Sequence, residues 1–317
     1  MMSIPSSRKA FFNKLDIDKG LLKTVIERET VTYSKDSVYV PTKCNFFIDN
    51  NFIHMNDADD RFCMKGFATP ASMMMLDGKP KSRKTTFAYM MAAAALKSDR
   101  RYQNIFCTNN INNWVMIFDT EQSPGEFFTK IESLKLMSED DELDRIHAHN
   151  FVNYGHNPEM KIQAINHYVY ELDGSYRRNG IIKEEDKIGL IILDHMGHLV
   201  NNENDRDEVK ELIGWMSKMA KDTGATILGI IHQNKNNKEA TGVIGYEFAK
   251  AASSYLKTFK IPQDDEDGDM DTLNPTEVYF KENRFGAKPF RRFIFNYDEH
   301  GYPVVLDHKQ INYNFMG

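Results

Sequence analysis

The chain has 317 residues, 41% of them hydrophobic and 27% charged, the proportions of a globular protein that can bury a sizeable core. Its formal net charge is −6, which excludes a uniformly basic nucleic-acid coat and leaves only a local patch for that role. The three cysteines, Cys44, Cys63 and Cys107, form no CxxC pair, which argues against a disulfide framework or a zinc site and suits a reducing cytoplasm.

No apolar run reaches the roughly 20 residues needed to span a bilayer. Met1 to Lys9 is polar, with no apolar stretch after it, and does not read as a signal peptide. Residues 1–65 read as a small N-terminal extension. Within it Phe11 to Arg28 suggests a short helix, and Val38–Val40 and Phe46–Ile48 suggest strands. Residues 66–317 read as one α/β domain.

In that domain Ser72–Leu76 is a short apolar run ending in Asp77-Gly78, and an Ala-rich helix is expected from Thr85 to Lys97. Trp114–Phe118 is expected as a buried strand. Ser123-Pro124-Gly125-Glu126 carries the features of a capping box with proline at the first helical position. Ile146–Val152 reads as a strand, and Asn157-Pro158 as the cap of a helix reaching about Leu172. Ile188–Leu193 is a nearly continuous apolar run ending in Asp194. Asp205 and Glu208 open a helix to Lys221 whose apolar stripe is Val209, Leu212, Ile213, Met216 and Met219, at spacings of three and four. Thr226–Ile231 is a further buried strand. After the acidic run Asp264–Asp269, read as a solvated loop, Glu277–Phe280 and Arg291–Asn296 read as an antiparallel pair. Continuous apolar strands alternating with helices predict a mostly parallel sheet covered on both faces, with ligands at the carboxyl ends of its strands.

The polar residues at those strand ends are the candidates for chemistry. Gly78-Lys79-Pro80-Lys81-Ser82-Arg83-Lys84-Thr85 matches the phosphate-loop pattern G-x-x-x-x-G-K-[ST] except that Arg83 stands in place of the second glycine. Backbone N–H groups at the start of the helix would face an anion, Lys84 would reach the terminal phosphates of ATP, and Thr85 would offer its hydroxyl to Mg²⁺. Thr86 is included in the nucleotide-binding set. The alternative is a basic turn before a surface helix. Asp194, at the end of a buried strand, suits the water shell of Mg²⁺. Glu121 is the candidate general base, with a solvated turn or cap residue as its structural alternative, and Asp119 is the other carboxylate considered for the same role. Gln233 is a candidate sensor of the γ-phosphate or a polar strand end. His195 with His198, and His147 with His149, lack the further ligands that a metal site needs.

The order of these elements resembles the RecA-like superfamily over residues 66–306, more closely its branch of plasmid RepA, DnaB-type helicases and KaiC-like proteins. The loop from Gly78 to Thr85 resembles a variant phosphate loop of RepA-like ATPases from phages and mobile elements. The resemblance implies a RecA-like fold, Glu121 as catalytic base, and a motif over Ile231–Lys235 that couples phosphate sensing to a DNA-binding loop. It also implies that Lys281 and Arg284, within Lys281-Glu282-Asn283-Arg284, form a basic finger inserted into a neighbouring subunit's site. Asn201–Asp207 and Asn234–Gly245 would then face a central pore. The first of these loops is acidic and amide-rich, and the second offers only Lys235 and Lys238. Residues 1–65 do not resemble the helical N-terminal domain of DnaB-type helicases.

The expected function is an ATP-driven homo-oligomeric motor, hexamer or filament, on single-stranded DNA in phage or plasmid replication or mobilisation. A recombination or annealing accessory and an ATP-gated regulator without nucleic acid are the alternatives. The expected location is cytoplasmic, with no membrane partner.

Overall fold

A computed structural model describes residues 46–48, 66–97, 99, 101–107, 114–138, 145–172, 188–233, 242–261, 274–284 and 293–306. The chain divides after Thr42, and all described residues belong to the second unit, Lys43–Gly317. The expected helix at Phe11–Arg28, the strand at Val38–Val40 and the acidic run at 264–269 lie outside them.

Thirteen strands are described: β1 Phe46–Ile48, β2 Gly66–Ala68, β3 Met73–Gly78, β4 Arg101–Tyr102, β5 Ile105–Cys107, β6 Trp114–Asp119, β7 Ile146–Asn150, β8 Ile188–Asp194, β9 Thr226–His232, β10 Ser254–Lys260, β11 Thr276–Asn283, β12 Phe293–Tyr297 and β13 Pro303–Val305. The helices are α1 Lys84–Leu96, α2 Pro124–Ser138, α3 Pro158–Asn166, α4 Arg206–Thr223 and α5 Gly242–Ala251.

Nine strands form one sheet in the order β13-β12-β11-β10-β3-β9-β8-β6-β7. From β7 to β10 all neighbours are parallel, and β11, β12 and β13 then add antiparallel. This is the RecA-like arrangement, with the phosphate-loop strand β3 inside the sheet. The antiparallel pair expected near the C-terminus is β11 with β12. The parallel strand β10 has no counterpart in the sequence reading, because its two lysines and two polar residues break the apolar run.

Strand pleating sends alternate residues to opposite faces. Met74, Leu76, Val115, Ile117, Leu190, Ile192, Leu228 and Ile230 meet α1 and α2 on one face. Met75, Met116, Phe118, Ile191, Leu193 and Ile227 meet α3, α4 and α5 on the other. Helix α1 is buried on nearly every side from Phe87 to Leu96. Its outer surface belongs to the same apolar cluster as Phe46, Phe67, Tyr102, Ile105 and Cys107 of a four-stranded sheet, β2-β1-β5-β4. Phe46–Ile48, read from sequence as part of the extension, is thus hydrogen-bonded to strands on the far side of residue 65.

The local signals act as the sequence suggests. The Ser123 hydroxyl accepts from the Glu126 amide at 3.3 Å and Glu126 accepts from the Ser123 amide at 3.1 Å, the reciprocal pair of a capping box. Asn157 caps α3 through the Met160 amide at 3.0 Å, and the chain then continues as a π turn, His167–Leu172. Asp205 caps α4, which ends at Gly224 in the left-handed conformation. The segment expected as the second pore loop, 234–245, is helical from Gly242 onward.

Candidate functional site

The carboxyl ends of β3, β9, β8 and β6 lie side by side. Gly78 is level with His232, and Asp119 is level with Asp194. At Gly78 a Cβ would lie 2.2 Å from Thr258 Oγ1 and 2.4 Å from Ser82 Oγ, so no larger residue fits where the loop leaves the strand. Lys79, Pro80 and Lys81 form the exposed tip, while Ser82 is buried against Thr258, hydroxyl to hydroxyl at 2.7 Å.

Arg83 replaces a glycine of the loop pattern and adopts a glycine's backbone conformation, φ 63° and ψ 31°. For a residue with a Cβ that conformation costs about 1–2 kcal/mol. The side chain is anchored elsewhere: Nη1 donates to Asn296 Oδ1 at 2.8 Å, and the guanidinium lies over the Tyr297 ring at 4.5 Å from its centroid. Thr86 joins the same corner, its hydroxyl 2.8 Å from the Tyr297 hydroxyl. Sequence reading missed Asn296 and Tyr297, whose one signal is their place at the end of an apolar strand.

Lys84 is buried, and its ammonium donates to the Gly78 carbonyl at 3.0 Å, the Lys79 carbonyl at 2.9 Å and His232 Nδ1 at 3.1 Å. Burial pushes its pKa down to about 8, against the opposing pull of Asp194 and Glu121. Because an ammonium has only donors, Nδ1 of His232 is the acceptor, and the ring proton lies on Nε2. That N–H faces Glu121, 3.0 Å from both carboxylate oxygens. The hydrogen bond from His232 is the main cause that brings the Glu121 pKa down to about 2.

The Thr85 hydroxyl donates to Asp194 Oδ2 at 2.5 Å. Asp194 is buried, and burial raises its pKa. A hydroxyl and a carboxylate are the hard oxygen donors that Mg²⁺ takes, so this pair fits the ion.

Asp119 is fully buried and turned back into its own strand end. Its Oδ1 accepts from the amides of Glu121 at 3.0 Å and Gln122 at 2.8 Å, and its Oδ2 accepts from the Gln122 side chain. Burial, with Asp194 beside it, lifts its pKa to about 7. Of the two candidate carboxylates, Asp119 therefore shapes the turn and Glu121 projects from it.

Gln233 does not face Lys84. Its Nε2 donates to Asp77 Oδ1 at 3.0 Å, within a buried group where Asp77 also accepts from the Tyr255 hydroxyl and pairs with Lys257 at 3.5 Å. The strand-end residue that faces the phosphate loop is His232, to which sequence reading gave no role of its own within Ile231–Lys235.

Arg284 lies at the opposite end of the sheet. Its amide donates to the Ser253 carbonyl, and the Ser253 amide donates to the Met73 carbonyl, at the start of β3. The six residues of β3, Met73–Gly78, rise about 16 Å over their five steps, beyond the reach of an arginine side chain within the same chain. Lys281 is the extra residue of a β-bulge opposite Tyr255 and Leu256, with its ammonium 5.0 Å from the Tyr255 ring centroid. Lys235 and Lys238 lie outside the described residues.

No curated protein matches the sequence. Among solved structures, the chain is similar to a KaiC-like protein of the hyperthermophilic archaeon Pyrococcus horikoshii OT3, at 12% identity and TM-score 0.49, over 77% of this chain and 93% of that one. It is also similar to the flagellar accessory protein FlaH of Methanocaldococcus jannaschii, at 14% identity and TM-score 0.49, over 80% and 96%. A family model described as an AAA domain matches residues 51–238, more than half of the chain and all of the strand ends from β3 to β9. With its phosphate loop, buried strand-end aspartate and RecA-like sheet, the chain belongs to the AAA domain family of ATPases.

Proposed function

We propose that the protein hydrolyses ATP at sites completed by a neighbouring subunit, and that the assembly is a motor on single-stranded DNA in phage or plasmid replication or mobilisation. The observation that carries the hydrolytic part is the chain of hydrogen bonds from Lys84 through His232 to Glu121. In it a phosphate-binding cation, a strand-end ring and an ionised carboxylate share one locked geometry.

The backbone of residues 78–83 and the start of α1 would cradle the phosphates, with Lys84 turning its donors from the loop carbonyls to the terminal oxygens. Thr85 and Asp194 would hold Mg²⁺, which when bound neutralises charge on the β- and γ-phosphates. Glu121, ionised and projecting from its turn, would orient the attacking water and take its proton as the bond to the β–γ bridging oxygen breaks, giving ADP and inorganic phosphate. When Lys84 turns to phosphate, His232 loses one hydrogen-bond donor, and residues 234–241 follow one position further on, after Gln233. His232 is therefore the better placed sensor of the γ-phosphate, with Gln233 holding the strand end to Asp77.

The finger assignment is supported by the distance of Arg284 from its own phosphate loop, which excludes action there within one chain and is compatible with action on a neighbouring subunit. The DNA reading is supported by Tyr246, 61% exposed on α5 just past 234–241, with the Lys250 ammonium 3.8 Å from its ring centroid. An exposed aromatic beside a cation is the unit on which single-stranded bases stack.

The loop 201–207 favours a second reading. It carries Glu203, Asp205 and Asp207, and is docked to α5 by the Ile244 amide on the Glu203 carbonyl at 3.0 Å and by the pair Arg206–Glu247 at 2.8 Å. An acidic surface there suits an ATP-gated regulator that assembles without nucleic acid. Binding of a fluorescent single-stranded oligonucleotide, with an ATP analogue and a salt titration, separates the two. Salt-sensitive binding supports the motor, and no binding at low salt supports the regulator.

A further inference from the structure

Two hydrogen-bond systems converge on His195, the residue after Asp194. The first comes from β9: His195 Nε2 accepts from the His232 amide at 2.8 Å, and the two rings stack with centroids 4.2 Å apart and planes 27° apart. The second comes from β6: the His195 amide donates to Thr120 Oγ1 at 3.0 Å, and that hydroxyl donates to the His195 carbonyl at 3.0 Å. Thr120 is further tied by its amide to the Asp194 carbonyl at 2.5 Å and by its carbonyl to His198 Nδ1 at 3.0 Å. Thr120 immediately precedes Glu121. His195 itself is 3% exposed, with its ring buried between these two systems.

We infer that His195 is a positioning residue for hydrolysis: its backbone fixes the turn that carries Glu121, and its ring fixes the strand end and the ring of His232 that meets Glu121. The ring acts on β9 through one acceptor atom and one flat face. An acceptor at the Nε2 position is therefore the chemical requirement, and a histidine that accepts there carries its own proton on Nδ1. The inference rests on the reading of Glu121 and His232 as hydrolytic residues, and the test has an arm that does not depend on turnover.

The variants are His195→Leu, which keeps bulk without an acceptor, and His195→Gln, whose amide oxygen can stand near the Nε2 position. Both are first checked for the wild-type melting profile and for binding of a fluorescent ATP analogue. Turnover is then measured, together with the ring-nitrogen chemical shifts of His232 in protein labelled with ¹⁵N-histidine, assigned with His232→Gln. In wild type the His232 ring is expected as a single tautomer protonated at Nε2. In His195→Leu the ring signals should shift or average, and kcat should fall on the order of tenfold with KM unchanged, the size expected for one lost hydrogen bond. His195→Gln should restore both. The inference is overturned if His195→Leu leaves the His232 signals unchanged, or if His195→Gln loses as much as His195→Leu. If wild-type protein hydrolyses no ATP, the hydrolytic reading fails, and the ring signals alone decide whether His195 holds His232.

Discussion

His232 stands between Lys84 and Glu121, accepting from the ammonium at 3.1 Å through Nδ1 and donating through Nε2 to both carboxylate oxygens at 3.0 Å. The relationship joins the residue that would grip the terminal phosphate to the residue that would activate water.

Lys84→Ala should abolish tight nucleotide binding in a folded protein, since it removes the buried cation of the loop. In wild type the same cation sets a pH dependence. Its pKa in the free site is about 8, and a bound polyphosphate can only raise it. Affinity for an ATP analogue should therefore be flat below about pH 8 and weaken roughly tenfold per unit above it, by proton linkage. A flat profile to pH 9.5 would count against Lys84 as the phosphate ligand.

Glu121→Gln should keep nucleotide affinity and lose about 10²–10⁴ in turnover, because the amide cannot accept the water's proton. The free protein's Glu121 is ionised down to about pH 2, so its titration should not appear in kcat/KM across the neutral range. Asp119→Asn should act differently. It disturbs the hydrogen bonds of a buried turn, so it should lower the melting temperature, whereas Glu121→Gln should not. Equal turnover in Glu121→Gln and wild type would identify the wrong carboxylate.

His232→Ala and Gln233→Ala should separate cleanly. The first removes the link between Lys84 and Glu121, and should lower kcat with little change in melting temperature. The second takes one hydrogen-bond partner from the buried Asp77, which typically costs about 1–3 kcal/mol in stability. A turnover defect confined to Gln233→Ala would return the sensor role to Gln233.

Arg83→Gly and Arg83→Ala test how the variant loop is held. Glycine removes the left-handed strain as well as the contacts with Asn296 and Tyr297, whereas alanine keeps the strain and loses the contacts. The glycine variant should be the more stable of the two by about 1 kcal/mol, or roughly 2–4 °C in Tm. Identical Tm values would mean that the left-handed conformation does not persist in solution.

Arg284→Ala should bind ATP and lose about 10³–10⁵ in turnover if the residue acts as a finger between subunits. Mixing it with Lys84→Ala protein should restore part of the activity, since some mixed interfaces pair an intact site with an intact finger. A verified mixed oligomer without rescue would point to Lys281 or to a surface role for Arg284.

The α/β alternation, the phosphate loop, the strand-end Asp194 and the caps at Ser123, Asn157 and Asp205 were legible in the sequence because each is a local pattern. An apolar run, a helix start and a motif depend on neighbours a few residues away. Tertiary structure alone decided the rest. The left-handed Arg83 is held by a side chain 213 positions further on, and the Lys257 that disguises β10 is buried because Asp77 of the adjacent strand meets it. Which of His232 and Gln233 faces the loop follows from strand register, since successive side chains leave a strand on opposite faces. Residue composition is silent on that choice. The register of β9 against β3 sends the imidazole to Lys84 and the amide to Asp77, because two adjacent positions cannot both face the same ligand.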